Sequence, residues 1–569
     1  MSLHPHVITP VPAETARVAR AALPKGQPYL TFRDALGTLF QDEDFTALFP
    51  AWGPPGLPPW RLALVTILQV RENLADRQAA AAVRARIDWT YLLSLDLTDP
   101  GCDFSVLSEC RDRRLAGSAE EGLLEKLLAR CRTLGLVKAR GQQRTDSPHV
   151  LAAIRVLNRL ERVAATLRAT LNALAIVAPD WRQGLAPLAW YERYGRRLEE
   201  TRLPREQAQR DAYAQTVGED GFPLLDALDA PEAPQGLREF PMIATLRQTW
   251  LRHYERSTAE APTQGHPAVS RVRFKPNREL PPAAEGIESP YDGEARYRHK
   301  RDTSWTGSMV HGSETCEPTV PHLLTHGPTT PASVHEAQCP EPIPQALIEK
   351  DLAPGEHLVD AASVSSEFLV HSRDDQGLIV RGPTRPSPGW QMQVQGAYTQ
   401  EQFEIDFDKK QVRCPPGNMS AAWWEHGGGQ GSRPSIVEFD QHTCGACPVR
   451  SCCTRAKPRG RRRRLPPPDQ DEALAAAQTW SAREEGQQRY QRRAGVEGTL
   501  AQGGRAFGRR RTSYGGLATT HGQHVAIAAA IKIDRLVAWL DERPRATTRL
   551  ARCAALAPAN ADNLGEAAA

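Results

Sequence analysis

The most constraining feature of this 569-residue sequence is a change in its hydrophobic pattern after residue 295. Before that point apolar residues mostly recur at helical spacing, as Leu62, Val65 and Leu68 do. Beyond it, short apolar or alternating runs lie between turn residues, and QFEIDFDKKQVRC (402–414) has the pattern of a hairpin. Residues 470–541 return to helical spacing. The sequence therefore predicts a mixed α/β region behind a helical N-terminal domain.

These patterns divide the chain into three segments. Residues 1–135 are expected to form an all-α domain, residues 136–541 a mixed α/β domain, and residues 542–569 an Ala-rich flexible tail. Short helices joined by turns fit a DNA-binding bundle, and they also fit a plain packing domain. The periodicity leaves both interpretations of the first segment open.

The charge of the chain is unevenly distributed, although its net value is only +4. Arginines concentrate in RGRRRR (459–464) and GRRR (508–511), which suits either a solvated face or contact with phosphates. No stretch reaches the roughly 20 apolar residues that cross a bilayer, and no signal-peptide pattern opens the chain. We therefore expect a cytoplasmic protein without a membrane partner. Its 11 cysteines should be reduced, so a cysteine cluster would indicate a metal.

Three acids are candidates for chemistry. Glu497 is the only acid among the six arginines of residues 492–516, where it fits either a helical ion pair or a metal ligand. Asp360 follows a short apolar run, and Asp146 precedes an expected helix capped by Ser147; both also fit turn-forming or capping roles. Carboxylates from distant segments can converge to hold two Mg²⁺ ions, which supports phosphodiester chemistry without a protein nucleophile.

Four segments together resemble the DDE transposases of bacterial insertion sequences, over about residues 54–540. In chain order they are LADRQAAAAVRARIDWTYLLSLDL with FSVLSECRDR, QRTDSPHVLAAIRVLNRLE, SPYDGEARYRHKRDTSWTGSMVHGSETCE with HLVDAASV, and RRAGVEGTLAQGGRAFGRRRTSYGGLATTHGQHVAIAAAIKI. The resemblance implies a ribonuclease-H-like core, with a mixed sheet and flanking helices. It also implies DNA transposition, in which the ends of an insertion sequence are cleaved and then transferred into target DNA.

The resemblance assigns Asp146, Asp360 and Glu497 as catalytic ligands of Mg²⁺ or Mn²⁺. Because these acids lie far apart in sequence, it also implies a helical insertion at about 150–280 and a cysteine-bearing insertion at about 414–465. The expected partner is double-stranded DNA, both the terminal inverted repeats and the target. A homodimer would assemble on this DNA in the bacterial cytoplasm, associated with the nucleoid. The arginines expected to bind DNA are Arg492, Arg493, Arg505, Arg509, Arg510 and Arg511.

Several positions depart from the pattern of the family. Ser308-Met309 stand in place of Tyr-Lys, Ala362-Ser363 in place of Gly-Tyr, and Gly515, Thr519 and Gly522 in place of Arg, Lys and Leu. Loss of basic side chains weakens phosphate contacts. Two alternatives therefore stay open: a metal-dependent nuclease of the same fold, and a decayed or repurposed DNA-binding protein without catalysis.

The cysteines of CGACPVRSCC (444–453), together with Cys414, form a second candidate metal site. A CxxC pair with two further thiolates can hold Zn²⁺ in a tetrahedral site. The resemblance favours Cys453 over Cys452, because the family has a Cys-Thr pair at this position. The expected ligands of a structural Zn²⁺ are Cys414, Cys444, Cys447 and Cys453. Reduced cysteines without a metal are the alternative.

Overall fold

The computed structural model of the chain describes residues 2–5, 7–196, 203–204, 206–258, 270–300, 302–334, 342–385, 390–399, 402–425, 434–456, 459–508 and 510–543. From residue 544 onward the expected tail lies outside the described residues, and so does Arg509. Within the described ranges, no helix has both the length and the apolar character needed to span a membrane.

The first part of the chain is helical, as its pattern predicts. The helices are α1 Ala13–Ala22, α2 Pro28–Leu36, α3 Pro59–Glu72, α4 Asp76–Ala85, α5 Ile87–Leu92, α6 Phe104–Ala116 and α7 Gly122–Thr133. Helix α3 begins at Pro59, since the missing N–H of proline is tolerated in a first turn. Leu62, Val65 and Leu68 are buried along one side of it, which confirms the apolar face.

Strands and further helices alternate through the rest of the chain. The strands are β1 Gln142–Asp146, β2 His149–Leu151, β3 Tyr254–Thr258, β4 Ser270–Phe274, β5 Arg296–Lys300, β6 Thr303–Val310, β7 Gly312–Thr315, β8 Leu324–His326, β9 Thr329–Pro331, β10 Glu356–Leu358, β11 Ile379–Arg381, β12 Glu404–Asp406, β13 Gln411–Arg413, β14 Ala422–Glu425, β15 Ser435–Glu438 and β16 Arg462–Leu465. The helices are α8 Arg159–Val177, α9 Pro179–Leu185, α10 Leu188–Tyr194, α11 Gln207–Asp229, α12 Pro241–His253, α13 Pro342–Glu349, α14 Ser366–Asp374, α15 Gln441–Ala446, α16 Arg450–Cys453, α17 Pro468–Ala482, α18 Glu484–Gln491, α19 Gly495–Ala506 and α20 Leu517–Leu540. The chain is therefore a mixed α/β protein.

A five-stranded sheet in the order β11-β10-β1-β7-β8 lies at the centre of the α/β part. Strand β1 runs parallel to β10, and β10 runs parallel to β11, whereas β7 is antiparallel to β1. Arg144 of β1 is in register with Leu358 of β10. Asp146 and Asp360 each lie two residues beyond that pair, so the parallel strands deliver both acids to the same edge of the sheet.

The segment directly after β1 differs from the expectation. Instead of a helix capped by Ser147, residues His149–Leu151 form β2, which pairs antiparallel with β6. Helix α8 begins only at Arg159, with Asn158 as its N-cap. The predicted helix start was wrong because strand pairing with β6, far along the chain, overrides the local capping signal.

Two parts of the chain have hydrophobic clusters of their own. Helices α8–α12 and the β3–β4 hairpin share a cluster that includes Leu167, Val217 and Trp250. A smaller cluster, around Phe403 and Val437, joins the β12–β13 hairpin to the sheet β14-β15-β16. The predicted hairpin within residues 402–414 is confirmed by the antiparallel pairing of β12 and β13.

The largest hydrophobic cluster connects both ends of the chain. Helix α20 is buried along most of its length and packs against α2, α3 and α7, so the N-terminal helices and the C-terminal helix share one core. Arg71 of α3 and Asp534 of α20 form an ion pair of 2.7 Å across this contact. The N-terminal helices are thereby fixed against α20, which also packs against α19.

Candidate active site

Asp146 is the last residue of β1 and lies at the edge of the central sheet. Burial raises the pKa of its carboxyl, and the charges of Glu497 and Asp360 raise it further. The Arg493 guanidinium opposes this rise, as does a hydrogen bond from the backbone of Ser147. The mutual repulsion means that the three acids share one electrostatic environment.

Asp360 follows β10 at the same sheet edge. Its Oδ1 accepts hydrogen bonds from the backbone N–H of Ser363 at 3.0 Å and from the Ser363 hydroxyl at 2.7 Å. Helix α14 is capped by Ser365 rather than by Asp360. Asp360 therefore organises a turn, one of the roles its sequence context allows, and the turn fixes one carboxylate oxygen.

Glu497 lies in the first turn of α19 and its side chain is 64% exposed. Arg493, one turn earlier, contacts both acids: its Nη2 is 2.8 Å from Asp146 Oδ1, and its Nη1 is 3.5 Å from Glu497 Oε1. Because Arg493 is mostly buried between the two carboxylates, its guanidinium is the resident cation of this pair. Arg493 is thus occupied by acids rather than presented on the surface as a DNA ligand.

A buried network that sequence reasoning missed fixes α19 against the sheet. Glu314 of β7 is fully buried and accepts from Arg144 Nε at 2.7 Å, from Thr499 Oγ1 at 2.6 Å and from Arg535 Nη1 at 3.0 Å. Arg144 also donates to the backbone oxygen of Arg492 at the start of the 3₁₀ turn before α19. The network joins β1, β7, α19 and α20. It places the helix that carries Glu497 beside the strand that carries Asp146.

A pocket of about 170 Å³ opens beside two of the three acids. Asp146, Glu497, His149 and Arg510 are among the residues that line it. Asp360 is not in the lining, although its charge acts on Asp146 and on the nearby Tyr490 hydroxyl. Burial raises the pKa of Tyr490, and the three acids add to that rise. The structure therefore places the three acids close enough to interact electrostatically, and the pocket lies between Asp146 and Glu497.

The arginines expected to bind DNA occupy different environments. Arg505 and Arg511 are exposed, and Arg510 is exposed at the rim of the pocket. Arg492 is exposed as well, but it donates to Gln142 Oε1 at 2.8 Å. Among these arginines it is Arg510 that borders the acidic pair of the pocket.

The four cysteines expected to bind zinc all line a second, small pocket of about 20 Å³. Cys453 is buried, whereas Cys414, Cys444 and Cys447 are partly exposed. Cys452 is absent from the lining, which matches the choice of Cys453. In the arrangement that the described residues adopt, no group of three or more His, Cys, Asp or Glu side chains could hold a metal ion. This applies both to the cysteines and to the three acids.

Comparison with protein families matches two separate segments of the chain. Residues 413–537 match the model described as Transposase DDE domain, and residues 17–113 match the model described as Transposase domain (DUF772). Both matches are consistent with an insertion-sequence DDE transposase, as the resemblance predicted. Both matched models describe transposase domains, so the comparison indicates DNA transposition with DNA as the partner. The DDE match includes Glu497 and the four cysteines but not Asp146 or Asp360. No curated protein and no solved structure matches the chain.

Proposed function

We propose that this protein is a DDE transposase that cleaves DNA at the ends of an insertion sequence and joins those ends to target DNA. The proposal includes a ribonuclease-H-like core, supported by the mixed five-stranded sheet with flanking helices. One observation carries it. Two parallel strands deliver Asp146 and Asp360 to one sheet edge, and α19 brings Glu497 against Asp146 through their shared contact with Arg493.

The donor chemistry of the three acids fits Mg²⁺ or Mn²⁺. Such hard cations prefer carboxylate oxygens. The pKa of Asp146 is raised first by burial and then by repulsion from Glu497 and Asp360, and a bound cation would offset both effects. Asp146, Asp360 and Glu497 would hold the ions, after Arg493 has withdrawn from the first and third acids. Bound divalent ions supply charge stabilisation at the attacking and leaving oxygens of an in-line displacement.

The residues of the chain position the DNA for two successive displacements. In the first, water attacks a phosphodiester at the end of the element, a P–O3′ bond breaks, and a free 3′-hydroxyl results. In the second, that hydroxyl attacks a phosphodiester of target DNA, and one P–O bond forms for each that breaks. Arg510 at the rim of the pocket, with the exposed Arg505 and Arg511 of the same segment, would hold the DNA backbone.

The remaining DNA contacts follow from charge and symmetry. The N-terminal helices and the basic run at 459–464 would bind the terminal inverted repeats. Joining two ends in one reaction requires two active sites, so we propose that the chain acts as a homodimer on DNA. The reaction takes place where the DNA is, in the bacterial cytoplasm at the nucleoid.

One observation favours a protein that binds DNA without cleaving it. Arg493 already bridges Asp146 and Glu497, and the described residues do not form a preassembled metal group. If these contacts persist on DNA, the chain is a DNA-binding relic.

A cleavage and strand-transfer assay distinguishes these functions. Purified protein is incubated with Mg²⁺ or Mn²⁺, DNA carrying the ends of the element, and target DNA, beside Asp360→Asn and Glu497→Gln. Glu485→Gln is the matched control, because Glu485 is an 82% exposed acid on the nearby α18. Cleavage and joining by the wild type and the control, lost in the two site variants, supports the transposase. Cleavage without joining indicates a nuclease, and binding without cleavage indicates the relic.

A further inference from the structure

The segment formed by residues 402–465 carries a site that the proposed reaction does not use. It comprises the β12–β13 hairpin, the sheet β14-β15-β16 and the short helices α15 and α16. Among its described residues (402–425, 434–456 and 459–465), the hydrophobic cluster contains six buried side chains, namely those of Phe403, Val412, Val437, Phe439, Cys453 and Leu465. A core of this size rarely stabilises a small unit alone, and natural units of this kind commonly add a metal or disulfides.

The backbone presents the cysteines from two sides of this cluster. Cys414 directly follows β13 and opens a tight turn, in which its N–H donates to the oxygen of Asn418 at 2.9 Å and Gly417 N–H donates to its oxygen at 2.7 Å. Gly417 has a φ of 95°, which only glycine adopts without strain. On the other side, Cys444 lies on α15, Cys447 follows that helix, and Cys453 ends α16. A turn and a pair of short helices thus face each other.

We propose that Cys414, Cys444, Cys447 and Cys453 bind one structural Zn²⁺ ion. All four line the same small pocket, together with Phe403 and Phe439. Four thiolates around one ion are the usual closed coordination of structural zinc, and they leave no open position for chemistry. The inference does not depend on the transposase activity, since it concerns the folding of this segment.

The position of Cys452 supports the selectivity of the site. Cys452 is next to Cys453 in sequence, but it does not line the pocket, and its backbone oxygen accepts from the N–H of Tyr398 at 2.9 Å. The described thiols do not yet form a group that could hold a metal. Binding therefore requires the small pocket to contract around the ion, which would draw the turn at Cys414 towards the two helices.

Contraction of the pocket would also fix a basic strand. Strand β16 pairs with β15, and its Arg462 and Arg464 are exposed on one face while Arg463 and Leu465 are buried on the other. The buried face packs on the same cluster as Cys453. Bound zinc would keep Arg463 and Leu465 packed on the cluster and Arg462 and Arg464 exposed. Loss of zinc should therefore loosen β16, the strand that carries the basic run.

The test uses the full-length protein and measures metal content. Inductively coupled plasma mass spectrometry of purified wild type should give one Zn²⁺ per chain. Cys447→Ser should lose it, while Cys452→Ser, the matched neighbour, should keep it. Replacing Zn²⁺ with Co²⁺ should give thiolate charge-transfer and tetrahedral ligand-field absorption in the wild type and in Cys452→Ser, but not in Cys447→Ser.

A second variant covers the case in which Cys447→Ser does not fold. Cys447→His keeps a zinc-binding side chain, so it should retain the metal and shift the Co²⁺ spectrum towards that of a site with one nitrogen ligand. A chelator should also lower the melting temperature of the wild type. Two results would overturn the proposal. One is wild-type protein that contains no zinc after it has been refolded in the presence of zinc. The other is full zinc content in both Cys414→Ser and Cys447→Ser.

Discussion

Replacing Glu314 with glutamine tests the network that positions α19. Glu314 is fully buried, and the side chain of its partner Arg144 is only 4% exposed. Removing one charge of a buried pair leaves the other unpaired, which costs about 3–5 kcal/mol. Arg535, which is 21% exposed, can regain water, whereas Arg144 cannot. We therefore expect Glu314→Gln to lower the free energy of unfolding by about 3–5 kcal/mol.

Urea denaturation followed by circular dichroism measures this loss. The matched control is Glu425→Gln, because Glu425 pairs with Lys410 at 2.9 Å while both side chains remain more than half exposed. An exposed pair contributes about 0–1 kcal/mol, so the control should unfold close to the wild type. If Glu314→Gln costs no more than the control does, the buried network does not hold α19 against the sheet, and our reasoning is wrong.

Three further variants test the site and its surroundings. Lys532 is buried without a hydrogen bond, and burial lowers its pKa to about 7. The free energy of unfolding should therefore rise with pH from about 7 towards 10, by up to roughly 1.4 kcal/mol per pH unit. Lys532→Met should flatten that slope in urea titrations at pH 7 and 9. Ser363→Ala removes one hydrogen bond to Asp360 and should slow DNA cleavage about fivefold, with little change in KM, in steady-state assays. Arg493→Gln should raise the affinity of the DNA-free protein for Mn²⁺ in calorimetric titration, because the acids lose their resident cation; an unchanged affinity would mean that Arg493 does not compete with the metal.

Local sequence patterns were sufficient for several elements of the fold. The prolines before α3 and the apolar residues along it predicted both its start and its buried face. The hairpin around Asp408 and Lys409 was evident from alternating residues on each side of a polar turn. These features depend on contacts within a few residues, which the sequence displays directly.

The remaining features depend on contacts between distant segments. β2 forms where a helix was expected, because its pairing with β6 links residues that are far apart in sequence. The partnership of Arg144 with Glu314 has the same origin, and no local pattern marks it. A charged residue inside an otherwise buried strand, such as Glu314, is the signal that could have indicated a fixed partner.

The convergence of the acids was predicted through the resemblance and not from spacing. The structure supplies a physical basis for it, in the register that aligns Asp146 with Asp360 and in the contact of Arg493 with Glu497. The sequence interpretation had assigned Arg493 to DNA binding. In the structure its guanidinium contacts two of the acids and would compete with the metal for them. Arg493 comes to lie between the carboxylates of Asp146 and Glu497 only when the chain folds, so the sequence alone could not show this contact.

Exchange of one acid for a thiol tests most directly that these acids bind the catalytic metal. DNA cleavage by Asp146→Cys would be measured in Mg²⁺ and in Mn²⁺, beside the wild type in each ion. Thiolates are poor ligands for Mg²⁺ and better ones for softer metals. The account predicts that the variant is inactive in Mg²⁺ and regains cleavage in Mn²⁺, while the wild type cleaves in both. Equal cleavage by variant and wild type in Mg²⁺, or no recovery in Mn²⁺ by a folded variant, would contradict it.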